Sequence, residues 1–332
     1  MNISVLDQSP IPEGSSGADA LRNTLDLAGL ADELGYARYW LAEHHGTPML
    51  ACSSPEVMIA AIGSITRRIR IGSGGVMLPH YSPLKVAETF SILSALFPER
   101  VDLGIGRAPG TDHATAYALQ RDRRQPAPDD FPQQLAELLG YLENRMPAGH
   151  PFARLAALPG RPHVPDVWLL GSSAQSALWA AENGLPYCFA DFINPDGATY
   201  AQIYRDRFCP SETLAEPRVM VAGFAVCAET DEDAQRIASS ARMTRALLNQ
   251  GQSIPVPPID KALRFLAEHG PSPDTVARPR RAIVGSSSAV KKGIEELADL
   301  YGAEEMMIVT IAYDHADRRR SYELIAAAFG LR

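Results

Sequence analysis

The segment at residues 171–176, Gly-Ser-Ser-Ala-Gln-Ser, joins a short apolar run to an amphipathic one. Free backbone N–H groups and the dipole of a helix that begins there would favour an anion. The hydroxyl groups of Ser173 and Ser176 add donors, and Arg107 offers a planar cation suited to phosphate. The alternative is that Ser172 or Ser173 only caps the helix, and the spacing does not decide between the two.

Residues 73–75, Ser-Gly-Gly, lie inside a predicted strand. Glycine weakens a strand interior, so it usually marks a bulge or a close approach of a ligand to the backbone. A flat aromatic ring lying against Gly74 and Gly75 would need such a gap. A bulge required by closure of a barrel is the alternative, and the sequence alone favours it.

His44 and His45 are adjacent at the end of a predicted strand, so their side chains point to opposite faces. A neutral imidazole suits proton transfer near pH 7, and a hydrogen-bonded structural role is the alternative for either residue. The sequence contains no H-E-x-x-H, G-x-S-x-G, P-loop or G-x-G-x-x-G motif. We therefore predict no metal site, and a phosphate-bearing organic cofactor is the best chemical hypothesis.

The elements that position these residues alternate between short apolar runs and amphipathic segments, which is typical of parallel strands with crossover helices. We predict strands at residues 3–6, 39–43, 70–78, 101–106, 167–170, 187–190, 218–228 and 305–312. Eight strand–helix units favour a closed (β/α)8 TIM barrel over an open doubly wound sheet. The chemistry-bearing segments then meet at the carboxyl ends of the strands, where such barrels place their active sites.

The chain is predicted to form a single domain over residues 1–332. We expect insertions into the barrel near residues 109–165, 191–217 and 249–282, because the regular pattern loosens there. The first is rich in Pro, Arg and Asp, and neither it nor the second carries chemistry that we can interpret. The third shows no motif that marks a mobile loop covering the site.

Composition excludes several functional classes. The chain has 332 residues, 46% of them hydrophobic, and 31 Lys and Arg against 39 Asp and Glu give a net charge of −8. This balance predicts a soluble globular protein and argues against general binding to nucleic acid. The sequence offers no signal peptide and no apolar run that would span a membrane. Cysteines that form no C-x-x-C pair indicate reduced thiols in the cytoplasm: Cys52, Cys188, Cys209 and Cys227.

Five motifs, in this order, resemble those of the bacterial luciferase-like family of flavin-dependent monooxygenases. They are DQSP (7–10), YWLAEHH (39–45), SGGVMLP (73–79), DLGIGRAPG (102–110) and WLLGSS (168–173). The similarity runs along nearly the whole chain. It is stronger to the single-chain oxidoreductase branch of the family than to the light-emitting heterodimer.

The resemblance implies an insertion-bearing (β/α)8 barrel, usually dimeric, that binds FMN. In the family, reduced FMN generally arrives from a separate reductase and reacts with O₂ to form a flavin 4a-hydroperoxide, which delivers one oxygen atom to an organic substrate. The implied partners are therefore a small-molecule substrate, a transient flavin reductase and a second copy in a homodimer.

The resemblance also implies roles for individual residues. His44 matches a catalytic base or acid, and the Gly74–Gly75 position often carries a non-proline cis peptide beside the flavin ring. Gly106 stands where the catalytic luciferase subunit has a cysteine, so a thiol is absent and the pocket is expected to be roomier. The residues expected to bind the cofactor, among which Arg107, Ser173 and Ser176 match phosphate contacts, are Gly74, Gly75, Gly106, Arg107, Ser172, Ser173, Ala174 and Ser176.

Two other functions stay open at this point: a deazaflavin-dependent dehydrogenase, because relatives on the same barrel use that cofactor, and a non-catalytic flavin-binding protein. For the substrate we expect an aromatic or polyketide metabolite of secondary metabolism, because frequent Ala, Arg and Pro indicate a GC-rich bacterial source. The apolar residues Leu6, Trp40, Met77, Leu78 and Ile105 are expected to form a dry barrel mouth or, for most of them, ordinary core.

Overall fold

The computed structural model describes residues 1–107, 111–126, 129–155, 157–270 and 281–332. The described residues form nine parallel strands: β1 (Asn2–Asp7), β2 (Arg38–Leu41), β3 (Arg70–Met77), β4 (Val101–Gly106), β5 (Asp166–Gly171), β6 (Tyr187–Ala190), β7 (Val219–Ala228), β8 (Ala282–Ser286) and β9 (Glu305–Val309). Strands β1 to β7 and β9 close into a barrel, because β6 pairs with β7 and β9 pairs with both β7 and β1. The predicted TIM barrel is confirmed.

The pairing of β7 with both β9 and β8 accounts for the additional strand, β8, which lies outside the barrel. Its first half, Met220 to Phe224, pairs with β9 inside the barrel, whereas its second half, Phe224 to Ala228, pairs with β8. The sheet therefore continues beyond the barrel wall on one side. The sequence analysis missed β8, because its apolar run stops after Val284 and the strand ends in Gly285 and Ser286.

The described helices surround the barrel: α1 (Gly17–Glu33), α2 (Pro55–Ile65), α3 (Pro83–Leu96), α4 (His113–Leu119), α5 (Phe131–Glu143), α6 (Ala174–Glu182), α7 (Ala198–Arg207), α8 (Asp231–Asn249), α9 (Ile259–His269), α10 (Ser287–Tyr301) and α11 (His315–Phe329). Within the expected insertions, residues 109–165 contain α4 and α5, 191–217 contain α7 and 249–282 contain α9. Parts of two of these segments, 109–110, 127–128, 156 and 271–280, lie outside the described residues. No described helix combines the length and apolarity needed to cross a bilayer.

The amino ends of the strands are joined by an ionic cluster whose central members, Arg38, Asp102 and Glu305, are buried. Arg38 bonds Asp102 at 2.7 Å and Glu305 at 3.0 Å, and Arg70 bonds the second oxygen of Asp102 at 2.6 Å. Three cations balance three anions in this cluster, whose members are Arg38, Arg70, Asp102, Asp166, Arg218 and Glu305. This end of a TIM barrel contributes stability, not catalysis.

Two tryptophans fill the barrel above this cluster. The rings of Trp40 and Trp168 meet edge to face with centroids 5.6 Å apart, and the indole N–H of Trp40 donates to Asp102 at 2.8 Å. Glycine makes room for them, since a Cβ on Gly72 would lie 2.9 Å from the Trp40 indole nitrogen. Nearer the carboxyl ends of the strands small residues replace the large ones, and the interior opens.

Candidate active site

A cavity of about 650 Å³ opens at the carboxyl ends of the barrel strands, which is within the usual size range of small-molecule sites. Glycine and alanine keep it open, and its deep part carries no charged side chain among the lining residues. The strand residues that line it are Leu6, Gly74, Gly75, Met77, Gly106, Leu170, Gly171, Cys188, Ala190, Ala222 and Met307.

Most of the residues predicted from the sequence meet at this cavity. Its lining includes Gly74, Gly75, Gly106, Arg107, Ser172, Ser173 and Ser176. Ala174, the first residue of α6, and His44 are not among the lining residues. Of the apolar residues expected at the mouth, Leu6 and Met77 line the cavity, whereas the other three lie in the core: Trp40, Leu78 and Ile105.

The two glycines of β3 form one wall of the cavity. The Gly74–Gly75 peptide bond is cis, as the resemblance implies, and the register of β3 against β4 shifts between Gly74 and Val76. Neither glycine tolerates a side chain easily, because a Cβ would lie 2.5 Å from Leu6 Cδ1 at Gly74 and 2.7 Å from the Gly104 carbonyl oxygen at Gly75. The segment is therefore both a bulge and a cavity wall.

Gly106 faces the Met77 thioether. A Cβ at Gly106 would lie 3.1 Å from Met77 Cε and 3.3 Å from its sulfur. Met77 therefore occupies part of the space that the absent side chain leaves. Deeper in the cavity, burial raises the pKa of the Cys188 thiol well above its ordinary value, so this group stays protonated.

The junction of β5 and α6 forms another wall. Ser173 caps α6, which is the alternative to anion binding that the sequence left open. Its Oγ accepts a hydrogen bond from the Ser176 N–H at 3.4 Å, and its own N–H donates to Ser176 Oγ at 3.3 Å. Gly171 allows this close approach, because a Cβ there would lie 2.1 Å from Ser176 Oγ. The N-terminus of α6, with Ser172 and Ser173, still borders the cavity, so capping and anion binding are compatible here.

Arg107 stands beside this helix N-terminus with its side chain half exposed. Its Nη2 lies 3.0 Å from Asp129 Oδ1, and its guanidinium carbon lies 5.6 Å from the centre of the Trp179 ring. Trp179 in turn packs against Phe131 with centroids 4.8 Å apart. The sequence analysis missed Trp179, although its position three residues after Ser176 puts both on one face of α6.

Asp129, Asp130 and Phe131 reach the cavity from the connection between β4 and β5, a segment for which the sequence predicts no chemistry. Asp130 is compensated by Arg121, which reaches its two oxygens at 3.1 and 2.8 Å. No local sequence signal marks these residues, because the path of a long connection across the barrel mouth depends on tertiary packing.

The chain after β2 builds a buried hydrogen-bonded centre around Glu43. Oε1 of this carboxylate lies 2.7 Å from His45 Nε2 and accepts from the Tyr81 hydroxyl at 2.8 Å, while Oε2 accepts from the Met77 N–H at 3.1 Å. Glu43 is only 1% exposed. Burial, and then the Glu43 charge, raise the pKa of Tyr81 well above its ordinary value. The sequence analysis did not assign Glu43 a role.

The environment of His44 differs from that of Glu43. Its N–H donates to the Cys52 carbonyl at 3.0 Å, whereas its side-chain Nδ1 is buried and bonds to no described residue. Burial, and then the neighbouring His45, lower the pKa of His44 to about 4. It is therefore a neutral imidazole at pH 7.

Within the described ranges, no three His, Cys, Asp or Glu side chains are grouped so that they could hold a metal ion. The polar groups around the cavity are one guanidinium, two carboxylates, the Cys188 thiol and the N-terminus of α6 with its serine hydroxyls. The arrangement suits a ligand with an apolar planar body and an anionic end.

Comparison with known proteins identifies the class. The family model of luciferase-like monooxygenases matches residues 1–304, so the chain belongs to this family of enzymes. The sequence-based assignment is thereby confirmed.

Individual relatives agree with this family. The chain is 45% identical to the uncharacterized protein YwcH of Bacillus subtilis over 99% of both chains. It is 36% identical to an N-acetyl-S-alkylcysteine monooxygenase of the same organism, over 99% of this chain and 98% of the relative. The crystal structure of apo-MsnO8 superposes with a TM-score of 0.91 at 41% identity, covering 100% and 99% of the two chains.

A more distant structure shares only the fold. The oxygenating constituent of 3,6-diketocamphane monooxygenase of Pseudomonas putida, solved in complex with FMN, has a TM-score of 0.73 at 20% identity. The alignment covers 98% of this chain and 96% of that one.

Proposed function

We propose that this protein is an FMN-dependent monooxygenase. It takes reduced FMN from a separate flavin reductase and uses O₂ to oxygenate a small organic substrate. One oxygen atom enters the substrate, the other leaves as water, and the two electrons come from the flavin. One observation carries the proposal: the cavity combines a glycine wall and an apolar interior with Arg107 and the α6 N-terminus at one end.

The residues present fit this cofactor. The side-chain-free surface at Gly74 and Gly75 admits a flat ring system, while Arg107 and the first turn of α6, with Ser173 and Ser176, suit a phosphate. When bound, reduced FMN supplies the electrons that activate O₂. The protein supplies binding, orientation and a controlled environment.

Exclusion of water is the first task of the protein. Leu6, Leu170, Ala222 and Met307 come from four different strands and line the deep part of the cavity. A dry, apolar chamber would keep bulk water away from the bound cofactor and the reacting part of the substrate. The same chamber favours a substrate whose reacting part is uncharged.

Proton control is the second task, and we assign it to His44. Its buried Nδ1 has no partner among the described residues, and its lowered pKa of about 4 keeps it neutral at pH 7. A neutral imidazole accepts a proton or a hydrogen bond from the substrate, which is the role of a general base. This role rests on the position of His44 in the family motif, and its ring is not among the groups that line the cavity.

For the substrate we propose an aromatic or polyketide metabolite of secondary metabolism, for which the cavity of about 650 Å³ offers room beside a flavin. The relative named N-acetyl-S-alkylcysteine monooxygenase adds thioethers to the set worth testing. A panel with polycyclic phenols, quinones and S-alkylcysteine derivatives covers both classes.

The test combines binding with isotope labelling. The protein is first titrated with oxidised and anaerobically reduced FMN and with a reduced deazaflavin. It is then incubated with a flavin reductase, FMN, NADH, ¹⁸O₂ and the substrate panel. We expect FMN binding and a product heavier by one ¹⁸O atom.

Other outcomes would overturn the proposal. Hydride transfer from the deazaflavin without O₂ uptake would establish a deazaflavin-dependent dehydrogenase. Tight FMN binding without any turnover across the panel would favour a non-catalytic flavin-binding protein. Failure to bind either cofactor would remove the basis of all three functions.

We further propose a homodimer formed by α2 and α3. These neighbouring helices expose large apolar residues, with Val57 64%, Ile65 54%, Ile92 48% and Leu96 62% exposed. Exposed apolar residues concentrated on one face mark interaction surfaces, and a second copy of the same face would bury them. Ile92→Glu is expected to give a monomer in sedimentation experiments, whereas Leu300→Glu on α10 leaves the dimer intact. A monomeric unmodified protein would contradict this assembly.

A cytoplasmic location belongs to the same proposal. Cys52, Cys188 and Cys227 are buried free thiols, and Cys209 is an exposed one. Reducing compartments keep such thiols free. A cytoplasmic enzyme would also share its compartment with the reductase that supplies reduced flavin, which fractionation of the producing cells would test.

A further inference from the structure

The ion pair between Arg107 and Asp129 lies at the end of the cavity that suits a phosphate. Nη2 of Arg107 is 3.0 Å from Asp129 Oδ1, and both residues line the cavity beside the α6 N-terminus. The guanidinium is also held by the Trp179 ring, 5.6 Å from its carbon. A carboxylate of the protein therefore bonds the same cation that is expected to bind the cofactor.

Two anions at one guanidinium interfere with each other. A phosphate bonded by Arg107 would carry a negative charge close to the Asp129 carboxylate, and one donor group of Arg107 is already used. Exposure keeps the competition moderate: 51% of the Arg107 side chain and 76% of the Asp129 side chain are accessible to solvent, so the pair is screened and easily opened. Asp129 lowers the affinity for a phosphate without blocking its site.

We propose that Asp129 is an affinity-determining residue that competes with the cofactor phosphate for Arg107. It thereby keeps FMN loosely bound and exchangeable. The inference rests on the proposed function, since it presupposes an FMN site. It suits a protein that must collect reduced flavin from one partner and release the oxidised form in each cycle. Asp130 has no such role, because Arg121 compensates its charge through both oxygens.

The experiment measures dissociation constants of oxidised FMN and of riboflavin by calorimetry, without any turnover. Asp129→Asn is expected to bind FMN about two- to fivefold more tightly than the unmodified protein, which corresponds to the usual strength of an exposed ion pair. Riboflavin affinity should not change, because riboflavin lacks the phosphate. The gain should shrink at high salt, where exposed charges are screened.

Two controls make the test specific. Asp122→Asn removes the same charge from a residue that pairs with Arg124 in the same connection and does not line the cavity, so it should leave FMN binding unchanged. In an Arg107→Ala background, Asp129→Asn should no longer improve FMN binding, because the guanidinium for which Asp129 and the phosphate compete is absent.

The outcomes separate this inference from the proposed function. If FMN does not bind to the unmodified protein or to any variant, both fail. If FMN binds but Asp129→Asn leaves its affinity unchanged, Asp129 does not compete with the phosphate; if the affinity falls, Asp129 supports Arg107. In both cases only the present inference fails. An equal gain for riboflavin, or an undiminished gain without Arg107, would also overturn it.

Discussion

The Nε2 atom of His45 lies 2.7 Å from Oε1 of Glu43, at a carboxylate that solvent hardly reaches. The same carboxylate holds the Tyr81 hydroxyl and the Met77 N–H, and the His45 carbonyl accepts from the Thr111 hydroxyl at 2.7 Å. Glu43 thus ties together the ends of β2 and β3 and, through His45, the connection after β4. Because Met77 lines the cavity, Glu43 is a positioning residue for its rim.

Replacing Glu43 tests this role. Glu43→Ala should lower the free energy of unfolding by about 3 kcal/mol, because it leaves the partly buried Tyr81 hydroxyl and Met77 N–H without this acceptor. It should also broaden the absorption spectrum of bound FMN, since Met77 is no longer held. Tyr81→Phe removes one of these hydrogen bonds and should cost about 1 kcal/mol. Urea unfolding and FMN difference spectra provide the measurements, and equal effects of the two variants would refute a central role of Glu43.

Arg107 should distinguish FMN from riboflavin. Charge-assisted hydrogen bonds contribute about 1.5–3 kcal/mol, so Arg107→Ala should weaken FMN binding about tenfold or more and riboflavin binding very little. Arg107→Lys keeps the charge but lacks the planar guanidinium group, so its FMN affinity should lie between those of the unmodified protein and Arg107→Ala. Calorimetric titrations of both ligands decide the matter. An equal loss for both would mean that the anion site lies elsewhere.

His44 should affect turnover more than binding. If it acts as a general base, His44→Ala should lower kcat about 10²–10⁴-fold while the dissociation constant of FMN stays nearly the same. The measurement requires a substrate identified from the labelled-oxygen assay. An unchanged rate would remove His44 from the mechanism and leave the imidazole a structural role.

His44 should also make stability depend on pH. Its pKa falls from 6.5 to about 4 in the folded protein, so the unfolded chain binds more protons between these values. The free energy of unfolding contributed by neutral His44 is therefore complete above pH 6.5 and is lost as the pH falls towards 4. Urea unfolding at pH 7 and pH 5 should show a smaller loss for His44→Gln than for the unmodified protein. An equal loss of unfolding free energy between pH 7 and pH 5 in both proteins would contradict a buried, neutral His44.

Asp102 should affect stability at the opposite end of the barrel. It is fully buried and bonds Arg38, Arg70 and the Trp40 indole. Asp102→Ala leaves the buried Arg38 with Glu305 as its one remaining ion-pair partner and the Trp40 N–H without this acceptor, and should cost about 3 kcal/mol. Asp166→Ala is the matched control, since Asp166 pairs with Arg70 but is 60% exposed, and it should cost less than about 1 kcal/mol. Thermal unfolding measures both costs. Similar values would contradict the structural role of the cluster.

The barrel could be predicted because each of its strands has a recognisable pattern of apolar residues over a short stretch of sequence. Apolar runs of four to eleven residues, separated by amphipathic segments, located the eight barrel strands that the structure confirms. Strand β8 was missed because it pairs only with the outer half of β7 and therefore lacks the apolar pattern of a barrel strand. The β5–α6 junction could also be predicted, since a glycine followed by serines indicates the end of a strand and the start of a helix within a few residues.

By itself, the sequence determined the family, the barrel and the segments that surround its mouth, because each depends on residues close together in the chain. Only the tertiary structure decided which side chains share the cavity. Asp129 meets Arg107, and Glu43 gathers Met77 and Tyr81, because barrel closure brings together strand ends that lie far apart in sequence. Such contacts depend on how long connections pack across the barrel mouth, and no local pattern of residue types encodes that path.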